Sequence, residues 1–126
     1  MTLIFGGAYQ GKLAYALDRF NLTESDVYQC KNDDVSMSEN RKVIYEIDRW
    51  ILALVEKDIN VEEAVRQFIS ANQDKIIICN DISCGIVPLD PVLRKWREAV
   101  GKSLTMLSRT SDEVIRLFCT IPSRIK

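Results

Sequence analysis

An α/β fold, built on a mostly parallel sheet of about four strands with helices on both faces, is predicted by three features of the sequence. Strand-like and helix-like apolar patterns alternate along the 126 residues, the order that a parallel sheet with crossover helices requires. A glycine-rich stretch ending in lysine, Gly6 to Lys12, falls between a strand pattern and a helix pattern. Ile76-Ile77-Ile78-Cys79 is an uninterrupted apolar run, the form taken by a central strand covered on both faces.

Each element follows in order. Thr2 to Phe5 is a short strand, and the helix after it starts at Lys12 with Ala14, Ala16, Leu17 and Phe20 apolar and Asn21 as its terminator. Asp26 to Cys30 is a second short strand. After the polar loop Lys31 to Val35, Ser36 and Glu39 form a capping pattern. They open a long helix whose stripe is Val43, Ile44, Ile47, Trp50, Ile51, Leu54 and Val55, ending near Lys57. Its solvent side is the surface left for a homo-oligomer. Asn60 and Glu63 repeat the capping pattern ahead of a shorter helix through Ile69. The apolar strand Lys75 to Cys79 ends at Asn80 and Asp81. A loop with Gly85 and Pro88 leads to Asp90-Pro91, a strong helix start, and that helix runs to about Arg109 with Gly101 inside it. Glu113 to Cys119 is the last strand, followed by a tail containing Pro122.

Composition narrows the class. With 47% hydrophobic and 28% charged residues and a net charge of -1, residues 1–126 are expected to form one domain with a single core. The near-neutral balance argues against bulk nucleic-acid binding. No apolar run reaches membrane-spanning length, and Met1 to Phe5 lacks a signal-peptide pattern, so a cytoplasmic location is the expectation. Cys30, Cys79, Cys84 and Cys119 form no C-x-x-C pair and read as buried reduced thiols. The chain has no histidine, which excludes imidazole catalysis and any histidine-linked intermediate. Residues 91–126 carry 8 basic and 3 acidic side chains, so this part either faces an anionic ligand or presents a solvated helix face. Trp50 and Trp96 stand at core spacing and read as packing residues.

Gly6-Gly7-Ala8-Tyr9-Gln10-Gly11-Lys12-Leu13 matches the phosphate-binding pattern G-x-x-x-x-G-K and departs from it at the last place. Such glycines let backbone N–H groups curl around a phosphate at the positive end of the following helix, and Lys12 adds a point charge. Leu13 stands where a hydroxyl normally coordinates Mg²⁺, so either the metal is held by water and other groups, or nucleotide binds weakly, or it binds without turnover. Asn80 and Asp81 end an apolar strand at the carboxyl edge of the sheet, where ligands sit in such folds. Asp81 is thus a candidate catalytic and metal-side residue; the alternative is that the pair caps a turn. Asp33 and Asp34 read as solvated, and Glu46 and Asp48 as flanking the long helix's stripe. The basic residues Arg94, Lys95, Arg97 and Lys102 stand on the last helix; Arg97 or Lys102 reaching a phosphate is one reading, and solvent exposure is the simpler one.

The loop Gly6 to Lys12 carries a resemblance, and the stretch Ile76 to Pro88, with Trp96-Arg97-Glu98-Ala99-Val100-Gly101, Asp112-Glu113-Val114 and Ile125-Lys126, carries it further. Together they resemble the adenosylcobinamide kinase / adenosylcobinamide-phosphate guanylyltransferase family of cobalamin assembly. The resemblance covers roughly the first 20 residues and nearly everything after Lys75, and leaves Asp26 to Asp74 unmatched. It implies a RecA-like P-loop fold, binding of ATP or GTP, and phosphoryl transfer to the hydroxyl of a cobinamide-type corrinoid, with Lys12 matching the loop lysine and Asp81 a strand-end acid. It also implies GMP transfer through a histidine, which this chain lacks. Glu46 has neighbours in helical periodicity and is not given the role of the family's strand acid. A non-catalytic nucleotide-binding or assembly protein of corrinoid metabolism is the alternative. A kinase for an unrelated hydroxyl substrate is a third.

Overall fold

A computed structural model describes residues 1–37, 40–82 and 88–126. Among these the strands are β1 (Thr2–Gly6), β2 (Val27–Gln29), β3 (Val43–Tyr45), β4 (Ile76–Asn80), β5 (Glu113–Phe118) and β6 (Ile121–Arg124). The helices are α1 (Lys12–Arg19), α2 (Ile47–Glu56), α3 (Val61–Ala71) and α4 (Pro91–Thr110). The strands form one sheet in the order β2-β3-β4-β1-β5-β6, parallel except for the β5–β6 pair.

Alternation along the strands divides the core into two layers, as a period-2 backbone requires. Leu3, Ile44, Ile77, Cys79 and Val114 point to the face covered by α2, α3 and α4, where they meet Trp50, Ile51, Phe68 and Leu107. Ile4, Val43, Ile76, Ile78, Ile115 and Leu117 point to the other face, against Ala16 and the partly buried Leu13 and Phe20 of the α1 side. The predicted α/β class and two-faced helix cover are therefore present. β4 lies between β1 and β3, and its four apolar residues are 0–2% exposed, as its uninterrupted run implies.

The helix ends follow the predicted chemistry. Asn21 takes a left-handed conformation (φ 55°) after α1, with Leu22 N–H donating to Leu17 O, the reversal that stops a helix. The Asn60 side chain accepts from Glu63 N–H at 3.1 Å, and Asp90 accepts from Val92 and Leu93 N–H at 2.8 and 3.3 Å.

Six strands replace the expected four. The first addition comes from the expected long helix: Val43–Tyr45 is a strand, and the helix begins only at Ile47. Val43 and Ile44 are both fully buried, on opposite faces of the sheet, which two successive residues of a one-sided helix cannot be. Ser36 lies before this strand, and Glu39 lies outside the described residues. α2 buries Ile47, Asp48 and Trp50–Leu54 and leaves Arg49 and Glu56 exposed. The second addition is β6, in the expected tail. It is joined to β5 by Cys119 and Thr120, both at positive φ (50° and 64°), the backbone of a two-residue hairpin turn. Cys-Thr is a poor match to the glycine and asparagine signals of such turns. β6 is an edge strand, where Pro122 costs no needed ladder bond.

Cys30 and Cys79 are buried and reduced as expected, Cys119 is exposed, and Cys84 lies outside the described residues. Both tryptophans pack as expected, with Trp50 donating to Val35 O and Trp96 to Asp48 O. Arg94, Lys95 and Lys102 are exposed. Among the described residues no helix is long and apolar enough to cross a membrane.

Candidate functional site

The Gly6–Leu13 loop leaves β1 at the carboxyl edge of the sheet and enters α1 directly. Gly6 sits at φ 155°, and a Cβ there would lie 2.4 Å from the Leu117 carbonyl oxygen, so only glycine lets β1 turn out beside β5. Gly11 (φ 81°) caps α1 in the left-handed region, and a Cβ on it would meet Thr120 Cγ2 at 3.1 Å. The Gln10 side-chain oxygen accepts from Cys119 N–H. The β5–β6 turn thus braces one flank of the loop, a contact that no local signal in the sequence announces.

The first turn of α1 holds no acidic residue, so its N-terminal N–H groups keep their positive field. Lys12 folds under the loop, 5% exposed, with Nζ donating to Gly7 O at 2.5 Å. Burial pushes its pKa down, partly offset by the carboxylates of Asp48 and Glu46. Leu13 lines the loop cavity and packs toward the Ile4–Ala16 layer, an aliphatic contact where the phosphate-loop pattern has a hydroxyl.

Facing the loop across a cavity of about 430 Å³ are Tyr45, Glu46, Arg49 and Asn80. Glu46 follows β3 in a left-handed conformation (φ 58°) as the N-cap of α2. Its carboxylate accepts from Gln29 Nε2 at 2.8 Å and from Asn80 Nδ2 at 3.3 Å. Asp48, 1% exposed, accepts from the Asn80 backbone N–H at 3.0 Å and its side-chain amide at 3.4 Å. Burial pushes the Asp48 carboxyl up, and the bonds from Asn80 oppose that shift. Asp81 is the next residue along, its N–H donating to Gly6 O at 2.8 Å, so the end of β4 is tied to the start of the loop. A separate cavity of about 450 Å³, between Val61 and Glu62 on α3 and α4 residues such as Lys95 and Ser103, contains none of the loop residues.

Lys12, the loop and the Asn80-Asp81 strand end are therefore gathered at one edge, as their places in the sequence suggest. Glu46 and Asp48 join them, contrary to their reading as flanks of a helix stripe. The signal that finds Glu46 is a β-branched pair followed by an acid, Val43-Ile44-Tyr45-Glu46, but it is overlaid by a helical repeat that continues into α2.

The family model described as cobinamide kinase / cobinamide phosphate guanyltransferase matches residues 33–125. The match takes in residues 33–74 of the segment that the resemblance leaves aside, and the Gly6–Leu13 loop lies outside it. No curated protein matches the chain.

Proposed function

The chain belongs to the cobinamide kinase / cobinamide phosphate guanyltransferase family of cobalamin biosynthesis, and from that premise we propose that it binds ATP or GTP at Gly6–Leu13 and transfers the terminal phosphoryl group to a cobinamide-type hydroxyl. The observation that carries this reading is the single cavity bounded by the loop, Lys12 and Leu13 on one side and by Glu46, Arg49 and Asn80 on the other. The backbone N–H groups of the loop and α1 would receive the phosphates, and Lys12 would exchange its Gly7 carbonyl partner for phosphate oxygen.

A magnesium ion accompanying the nucleotide fits these residues. Mg²⁺ takes one or two carboxylates plus phosphate oxygens, not a dedicated protein cage. Among the described residues no cluster of three or more ligating side chains forms such a cage. Asp81 and the Asn80 side-chain oxygen, at the β4 end, are the groups proposed to hold it, where it would neutralise phosphate charge. Guanylyl transfer is excluded from this reading, because the histidine that takes GMP in the family has no counterpart in a chain with no histidine. Leu13 favours one alternative, a nucleotide-binding partner protein that does not turn over.

Titration of the purified chain with ATP and GTP, with and without Mg²⁺, followed by an assay of phosphate transfer to cobinamide, tests the proposal. Lys12→Ala should weaken nucleotide binding by a factor on the order of 10 to 100, the worth of a charge-assisted hydrogen bond. No binding, or binding unchanged in Lys12→Ala, would overturn the reading. Binding without transfer would select the non-catalytic alternative.

A further inference from the structure

Beside the loop cavity lies a second hollow of about 510 Å³, lined by Gln29 at the end of β2, by Lys31, Asn32 and Asp33 beyond it, and by Glu46 and Arg49. Glu46 and Arg49 line both spaces, so the two meet at this pair. Arg49 is exposed at the start of α2, and among the described residues its guanidinium makes no hydrogen bond or ion pair, although two carboxylates line the hollow with it. The opposite flank of the loop is closed by the β5–β6 turn through Cys119 and Thr120. A second substrate approaching a phosphate held by the loop therefore has an open polar approach on the β2–β3 side.

We propose that this second hollow receives the acceptor alcohol, and that Arg49 and Glu46, at the junction, act on the transferring phosphoryl group and on the hydroxyl proton. The proposal rests on the nucleotide reading of the loop. In-line transfer puts the leaving oxygen and the attacking oxygen on opposite sides of phosphorus. With the donor held by the loop, the attacking side is the Glu46–Arg49 side. The acceptor oxygen forms its bond to the terminal phosphorus as the bond to the bridging oxygen breaks, and the nucleoside diphosphate leaves with that electron pair. The hydroxyl proton passes to a Glu46 oxygen, whose carboxylate is held in place by Gln29 and Asn80. Arg49 supplies the free fork of N–H donors that matches the equatorial phosphoryl oxygens. The lining charges balance, Lys31 and Arg49 against Asp33 and Glu46, and Asn32 adds an amide. That chemistry suits a neutral alcohol bearing amide or hydroxyl groups better than an anionic acceptor.

The test uses the full chain with cobinamide as acceptor probe. Arg49→Ala should lower kcat on the order of 100-fold, with nucleotide Kd within a fewfold of wild type, and Arg49→Lys should recover part of the loss. The Asn32→Ala, Asp33→Ala double variant should raise the acceptor KM on the order of 10-fold while leaving nucleotide Kd unchanged. If turnover is absent, calorimetric binding of cobinamide to the nucleotide-loaded protein is read in the same variants, and an affinity equal to wild type in the double variant refutes the proposal. Weakened nucleotide binding with an unchanged acceptor KM in that variant also refutes it, by assigning the hollow to the nucleoside. Failure of the wild-type chain to bind either nucleotide is a separate result and removes the reading of the loop itself.

Discussion

Gly6→Ala is the sharpest perturbation of the loop's foundation. An added Cβ would sit 2.4 Å from the Leu117 carbonyl oxygen, about 0.6 Å inside the 3.0 Å that Cβ contacts essentially never breach. The obstacle is the backbone of β5, which cannot rotate aside as a side chain would, and β5 is itself paired to β1 from Thr2↔Glu113 to Phe5↔Arg116. Relief requires prising β5 from β1 or dragging the loop outward. Overpacking of this kind costs about 1–3 kcal/mol, and a side chain forced to φ 155° adds about 1–3 kcal/mol of backbone strain. For a domain of this size one kcal/mol moves Tm by about 4 °C, so the expected fall is roughly 8–24 °C. Circular dichroism melts of wild type, Gly6→Ala and Gly7→Ala provide the measurement. At Gly7 the nearest atoms to a new Cβ are Gln10 Cγ and Nε2 at 3.8 Å, ordinary contact, and that variant should melt within about 2 °C of wild type. A Gly6→Ala protein as stable as wild type, or a Gly7→Ala protein that loses as much, would refute the steric account of the loop.

Two further outcomes follow from the same geometry. Gly101 lies inside α4 with nothing within 4 Å of the place an added methyl group would take, so Gly101→Ala should raise stability by about 0.5–1 kcal/mol, read as a rise in Tm of about 2–4 °C; a fall in Tm would refute the reading that a methyl group fits there without strain. Asp48 has its carboxyl pushed above the ordinary value of 3.8 by burial, so the folded state holds its proton more tightly than the unfolded state and the group's stabilising contribution is lost as pH rises through that raised value. Urea melts should therefore show Asp48→Asn gaining on wild type as pH is raised from 3.8 to neutral, and a gap that stays constant or moves the other way over that range would contradict the assignment.

Much of this arrangement is legible in residue order alone. Strand-loop-helix around Gly6–Lys12 is legible in local chemistry, since Gly11 supplies the left-handed cap of α1 and the lysine that follows it begins the helix. Asn60 and Asp90 start their helices through bonds reaching no more than three residues, and Pro91 at the first helical position has no N–H to leave unpaired. β4 is recognisable because burial on both faces leaves no polar position in its apolar run. Such features depend on neighbours in the chain, and a sequence displays its neighbours.

The remainder came from contacts across the fold. Val43-Ile44-Tyr45 fits a helical repeat as well as a strand, and only pairing with β4 (Val43↔Ile76, Ile44↔Ile77) and with β2 selects the strand. That choice delivers Glu46 to the sheet edge, where it faces a loop 33 positions or more away along the chain. Asp48 becomes a buried anchor for Asn80, and Arg49 the cation at the junction of two hollows, for the same reason. β6 and its brace on Gln10 depend on a hairpin turn built from Cys119 and Thr120, residues that carry no turn signal of their own. Residue order was enough to specify an α/β chain with a phosphate-loop pattern and its lysine. Which acids and which arginine stand across from that loop was set by the strand order, through hydrogen bonds between segments distant in sequence.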